Sequence, residues 1–152
     1  MGGAEVSNED WLLVIEGMVA KPYALSLRQL QALPSITITS MHECYGSPLV
    51  PAAEAKALRR IGNVQWTGVP LKTLLAEAVP NPEACFVWSE GLDRGTFAKV
   101  EADRYQKDLP LEKAMSSEVL VAYAMNSQPL SKNRGGPVRL IVPGWFGTNR
   151  LA

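Results

Sequence analysis

A single thiol stands out among the residues able to do chemistry. Cys44 lies in Met41-His42-Glu43-Cys44-Tyr45-Gly46-Ser47-Pro48, directly after the alternation Ser35-Ile36-Thr37-Ile38-Thr39-Ser40. That alternation reads as a half-buried strand, and Gly46 and Pro48 stop it. The thiol is therefore delivered at a strand end, where backbone amides are free and a ligand can approach. Deprotonated, it would be a soft metal ligand. The commoner fate of a lone cysteine is a buried, inert small hydrophobe, and from residue chemistry alone that fate is favoured. His42, two residues earlier, shares a face with Cys44 on an extended chain. It is either a donor or proton relay beside the thiol, or a satisfied partner at a strand end. Cys85 sits in the apolar run Cys85-Phe86-Val87-Trp88 and reads as structural. One histidine and two distant cysteines make no compact four-ligand zinc set, and this is no disulfide scaffold.

Other side chains hold chemical promise beside plainer readings. Arg139 falls inside the apolar stretch Val138-Arg139-Leu140-Ile141-Val142, so its charge needs a partner. An anionic group is one candidate and a carboxylate such as Glu90 is another. Asp93, in Leu92-Asp93-Arg94-Gly95, suits a turn. Tyr105 is either a pocket phenol or a surface residue on a hairpin. Trp66 and Trp88 read as core, whereas Trp145, after Pro143-Gly144, is placed to line a channel.

The chain that must position these groups has 152 residues, 47% of them hydrophobic and 20% charged, enough for one domain with a real core. Its 15 basic and 15 acidic residues cancel, which argues against nonspecific binding to nucleic acid or a membrane surface. No stretch has the length of a membrane-spanning helix. The first ten residues show no basic region followed by an apolar run, so no export signal is visible: the chain reads either as cytoplasmic as given or as lacking its leader.

Short strands and helices alternate without an internal repeat. Strands are expected at Trp11 to Glu16, Ser35 to His42, Cys85 to Trp88, Val119 to Ala124 and Val138 to Val142, with Phe97 to Val100 as a neighbour of the Cys85 strand. Ser26 can cap a helix over Leu27 to Leu33, with Gln29 completing a capping box. Pro70 suits the first turn of a second helix whose Leu71, Leu74, Leu75 and Ala78 share one face. Leu111 to Met115 supplies about one more turn. Pro51 to Arg60 is a helix or a loop. The mixed order predicts an α+β fold.

Several phrases, in order from Trp11 to Arg150, resemble the molybdopterin domain of the sulfite oxidase family. They are the phrase around Cys44; Gly62-Asn63-Val64-Gln65-Trp66-Thr67-Gly68-Val69-Pro70-Leu71; Glu90-Gly91-Leu92-Asp93; Tyr105 through Met115; Leu120 through Leu130; and Gly135 through Gly147. The resemblance implies an α+β domain with a mixed, twisted sheet and short helices. It implies a molybdenum–molybdopterin cofactor with Cys44 as the metal ligand. It puts Tyr105 in the substrate pocket, and Asp93 and Arg139 on the pterin or its phosphate. Arg134 stands where the family has a histidine, keeping donors but fixing the charge. Arg150 adds positive charge near the cofactor. A small-molecule substrate, a separate electron-transfer partner and a homodimer covering the site belong to the same expectation.

Two departures qualify it. Leu49 occupies the position, five residues after the cysteine, where animal and plant members have a substrate-binding arginine; Arg59 and Arg60 lie further on. Sulfite is therefore expected to bind poorly, and a neutral oxo donor or acceptor well. The 152 residues are also expected to form a single domain shortened at both ends, without a haem or dimerisation domain, and with low cofactor occupancy when isolated. Two functions follow: a compact molybdenum-dependent oxidoreductase, or a non-catalytic relative that keeps the fold as a binding or assembly module.

Overall fold

A computed structural model of the protein describes residues 6–44, 61–92, 95–97, 100–102 and 104–147. It is an α+β domain dominated by strands. Chain order gives β1 (Leu12–Ile15), β2 (Tyr23–Ser26), α1 (Leu27–Ala32), β3 (Ile36–Glu43), β4 (Ile61–Pro70), α2 (Leu71–Ala78), β5 (Phe86–Gly91), β6 (Gly95–Phe97), β7 (Val100–Ala102), β8 (Tyr105–Pro110), α3 (Leu111–Ala114), β9 (Leu120–Met125), β10 (Gln128–Pro129) and β11 (Arg139–Ile141). A 3-10 turn, Lys132–Arg134, precedes β11.

The helices follow from local chemistry. Ser26 and Gln29 form a complete capping box: the Gln29 amide donates to Ser26 Oγ at 3.3 Å, and the Ser26 amide donates to Gln29 Oε1 at 2.9 Å. Pro70 ends β4 and Pro110 ends β8, each extended, and a leucine then starts a helix. All four predicted face residues of α2, Leu71, Leu74, Leu75 and Ala78, are buried.

The central sheet runs β10-β9-β4-β3, and β11 pairs β9 beyond β10. Every described pairing is antiparallel. Gly68 lies where the β4–β9 register shifts, and a side chain there would run into the Val121 carbonyl and Ala122 Cα. Two apolar clusters occupy the interior. One gathers Val69, Leu74, Leu109, Val119 and Val142 between the sheet, α2 and the β5–β8 ribbon; the other gathers Trp66, Leu120, Ala122 and Ile141.

Three expectations need correction. The partner of β5 is β8, register Trp88 with Asp108, because Gly95–Phe97 turns back on Val100–Ala102 as its own hairpin. Trp88 is not core: it is 60% exposed, as is Phe86, while Val87 between them packs inward. Cys85 is exposed rather than buried, its thiol 3.5 Å from the Glu83 carbonyl oxygen. A strand's alternation, not the apolarity of the run, decides which residues point in.

Candidate functional site

Cys44 follows the last residue of β3 and is a half-buried free thiol. The eight-residue ladder from Ile36↔Gly68 to Glu43↔Ile61 holds that end of the strand. Alternation puts Ile38, Ser40 and His42 on one face, with Trp66 opposite Ile38. The His42 ring lies 5.9 Å from the Trp66 ring, tilted by 40°. The turn after β11 returns to this strand: a Cβ on Gly147 would be 3.1 Å from His42 Nε2 and 3.2 Å from the Glu43 carbonyl oxygen. His42 thus has both an aromatic and a backbone neighbour beside Cys44.

A second group forms around Tyr105. On β8, Tyr105 and Lys107 share a face, opposite Gly91 and Ser89 of β5. Two residues further along that face, Leu109 and Val87 enter the main core. The inner face of the ribbon therefore passes from core to a phenol and an ammonium. Lys107 Nζ stands 5.7 Å from the centre of the Tyr105 ring. Burial pushes the Tyr105 phenol above its ordinary value, and the Arg139 charge pulls against that shift. On the outer face, Glu90 accepts from Arg104 Nη1 at 2.5 Å and from Gln106 Nε2 at 2.9 Å.

Arg139 opens β11, opposite Ala122, and its Nη1 donates to the Arg134 carbonyl oxygen at 3.4 Å. The Arg134 side chain is exposed on the 3-10 turn. The structure therefore brings Tyr105, Arg139 and the Arg134 backbone together. Among the described residues, no hydrogen bond or ion pair joins Cys44 to this group. Trp145 packs on the main core. Asp93, Arg150, Leu49, Arg59, Arg60 and the segment Pro51 to Arg60 lie outside the described residues. Sequence reasoning missed Lys107; the two-residue spacing from Tyr105 on a strand would have signalled it.

The donor set suits a metal that arrives with most of its ligands. Among the described residues, no group of three or more His, Cys, Asp or Glu could hold an ion by itself. One thiolate can complete the coordination of a metal already held by an organic dithiolene. Ser40 Oγ and Trp66 Nε1 are buried without a hydrogen-bond partner among the described residues, on the face that carries His42. Such atoms are costly unless a bound group or water satisfies them. No described helix is long and apolar enough to cross a membrane.

An α+β domain with one half-buried thiol at a strand end, and a phenol and a guanidinium near one another, defines a candidate cofactor-binding domain. Comparison with known proteins places it: residues 2–151 match the family model of the oxidoreductase molybdopterin binding domain, and the chain belongs to that family. It is a sulfite oxidase-like molybdopterin-binding domain, and the family implies a molybdenum cofactor. It is 33% identical over 156 residues to the mitochondrial sulfite oxidase of Drosophila melanogaster, covering 96% of this chain and 26% of that protein. It is 36% identical over 148 residues to the NADH nitrate reductase of Volvox carteri, covering 88% of this chain and 17% of that protein. The sulfane dehydrogenase SoxCD structure from Paracoccus pantotrophus superposes with a TM-score of 0.81 at 33% identity, covering 99% of this chain and 38% of that one. The chain spans less than half the length of each.

Proposed function

We propose that this domain is the metal-binding core of an oxidoreductase that exchanges an oxygen atom between a small-molecule substrate and water and passes the two electrons to or from a separate electron-transfer partner. Cys44 is the protein ligand of molybdenum. Tyr105 faces the substrate, and Asp93, Arg134, Arg139 and Arg150 serve the pterin and its phosphate. The observation that carries this reading is the free, half-buried Cys44 thiol at the exit of the long strand β3, in a chain of a molybdopterin-binding family.

When bound, the cofactor supplies the two-electron oxygen-transfer chemistry; the protein binds, orients and tunes. Tyr105, its phenol raised by burial, stays protonated at neutral pH and can donate a hydrogen bond to a substrate oxygen. Arg139 provides a permanent cation whose geometry suits phosphate or another oxyanion. His42, beside Trp66 and Gly147, fixes the surroundings of the thiol rather than the thiol itself.

The test is metal and pterin content of protein made in a host that synthesises the cofactor. Cys44→Ala is expected to remove one sulfur from the metal's coordination and to abolish turnover while the protein stays folded and the dithiolene keeps the molybdenum, and Cys85→Ala to change neither. A folded protein empty of metal in every form would favour the non-catalytic binding module instead.

A further inference from the structure

Gly147 brings two distant parts of the chain together beside Cys44. β3 ends at Glu43 and β11 at Ile141, with β9 and β4 between them in the central sheet. The chain leaving β11 has its own anchors. Val142 is fully buried, Gly144 takes the left-handed conformation at φ 81°, the Trp145 amide donates to the Val142 carbonyl oxygen at 3.3 Å, and Trp145 packs on the main core. Gly147 then lies against β3. A Cβ there would stand 3.1 Å from His42 Nε2, 3.2 Å from the Glu43 carbonyl oxygen and 3.8 Å from His42 Cδ2. The two glycines answer different demands. A Cβ on Gly144 would meet nothing within 4 Å, so its φ requires glycine, whereas Gly147 is required by space. The imidazole also has the buried Trp66 ring 5.9 Å away, held in the second cluster.

We propose that Gly147 and His42 are positioning residues: by closing the turn after β11 onto the end of β3, they fix the backbone that delivers the Cys44 thiol. Neither touches the thiol; both act through the strand end. The function of the contact rests on the reading of Cys44 as the metal ligand. A methyl group at 147 obliges its neighbours to give by a few tenths of an ångström. Metal–ligand distances hold within about 0.2 Å, so a shift of that size at the residue before the ligand matters. Two of the three close contacts belong to the imidazole, so a smaller residue at 42 makes room for the methyl.

The test is iodoacetamide labelling of Cys44 in cofactor-free protein carrying Cys85→Ser, which leaves one thiol. Overpacking is relieved by local opening, so Gly147→Ala should speed labelling by about fivefold or more. In a His42→Ala background the same change should alter the rate by less than about twofold, because the two sites are coupled. Gly68→Ala strains the sheet elsewhere and should leave Cys44 labelling in native buffer unchanged, which separates positioning from a general loss of stability. In metal-loaded protein, Gly147→Ala should keep its molybdenum and alter one molybdenum–sulfur distance by X-ray absorption. Unchanged labelling in Gly147→Ala overturns the proposal even if Cys44 proves to hold the metal. An effect as large with Ala as with His at position 42 overturns the part given to His42, and equal acceleration by Gly68→Ala overturns positioning. Coupled labelling in a protein whose molybdenum carries no sulfur from Cys44 supports the strand-end contact while sinking the metal reading.

Discussion

The Arg139 guanidinium acts on the Tyr105 phenol although their strands, β11 and β8, belong to different sheets and do not pair. The relationship is tertiary: 34 residues of sequence separate the two side chains, and β9 and α3 intervene. It has a direct spectroscopic consequence. Burial raises the phenol and Arg139 lowers it, so removing the cation leaves burial unopposed. Arg139→Gln should shift one tyrosinate transition to higher pH in an ultraviolet titration. The shift should vanish when Tyr105→Phe is added, and a shift that survives would assign the effect elsewhere.

Gly68 should tolerate no side chain. Its missing Cβ is replaced in space by the β9 backbone at Val121 and Ala122, which has no flexible end to move aside. Gly68→Ala is expected to cost about 2–3 kcal/mol, the upper part of the range for overpacking. A urea midpoint lowered with unchanged slope would confirm it. A neutral outcome would mean that β4 and β9 lie further apart at the register shift than described.

Trp66 and Trp88 should behave oppositely. Trp66 is 1% exposed in the second cluster, and Trp88 is 60% exposed on the outer face of β5. Trp66→Ala should lose about 3–5 kcal/mol, and Trp88→Ala less than about 0.5 kcal/mol. Equilibrium denaturation of the two variants decides this, and similar losses would contradict the ribbon's orientation.

Tyr23 anchors β2 to α2 through a 2.8 Å bond from its hydroxyl to the Leu74 carbonyl oxygen. Burial first, then the Glu77 charge, raises its phenol above the ordinary 10.0. A raised folded-state value means the stabilisation is fully present below pH 10 and is lost as pH rises through the higher folded value. Tyr23→Phe should be less stable by about 1 kcal/mol near neutrality, with a flatter alkaline decline. Parallel denaturation curves at pH 8 and above pH 10 would show whether the two proteins converge.

Local signals were legible in the sequence. The capping box of Ser26 and Gln29, the α2 face and the strand before Cys44 all depend on neighbours within a turn or two, and all appear as expected. The pairing of β5 with β8 was not legible, because a hairpin at 95–102 lies between them and the polar strand Tyr105–Pro110 carries few apolar residues. Cys85 and Trp88 were misplaced for a related reason: a four-residue apolar run does not say which of its alternate positions faces in. The same gap hid the place of Lys107 against the Tyr105 ring, which appears only when β8 is known to be a strand. With Cys85 exposed and Cys44 half-buried, a thiol reagent should modify Cys85 faster.

The central claim is that Cys44 is a ligand of the metal, and the number of sulfurs around molybdenum, counted by X-ray absorption, tests it most directly. Protein from a cofactor-producing host should show one sulfur more in the unaltered and Cys85→Ala forms than in Cys44→Ala, because the dithiolene keeps the metal in all three. The same sulfur count in Cys44→Ala would contradict the account.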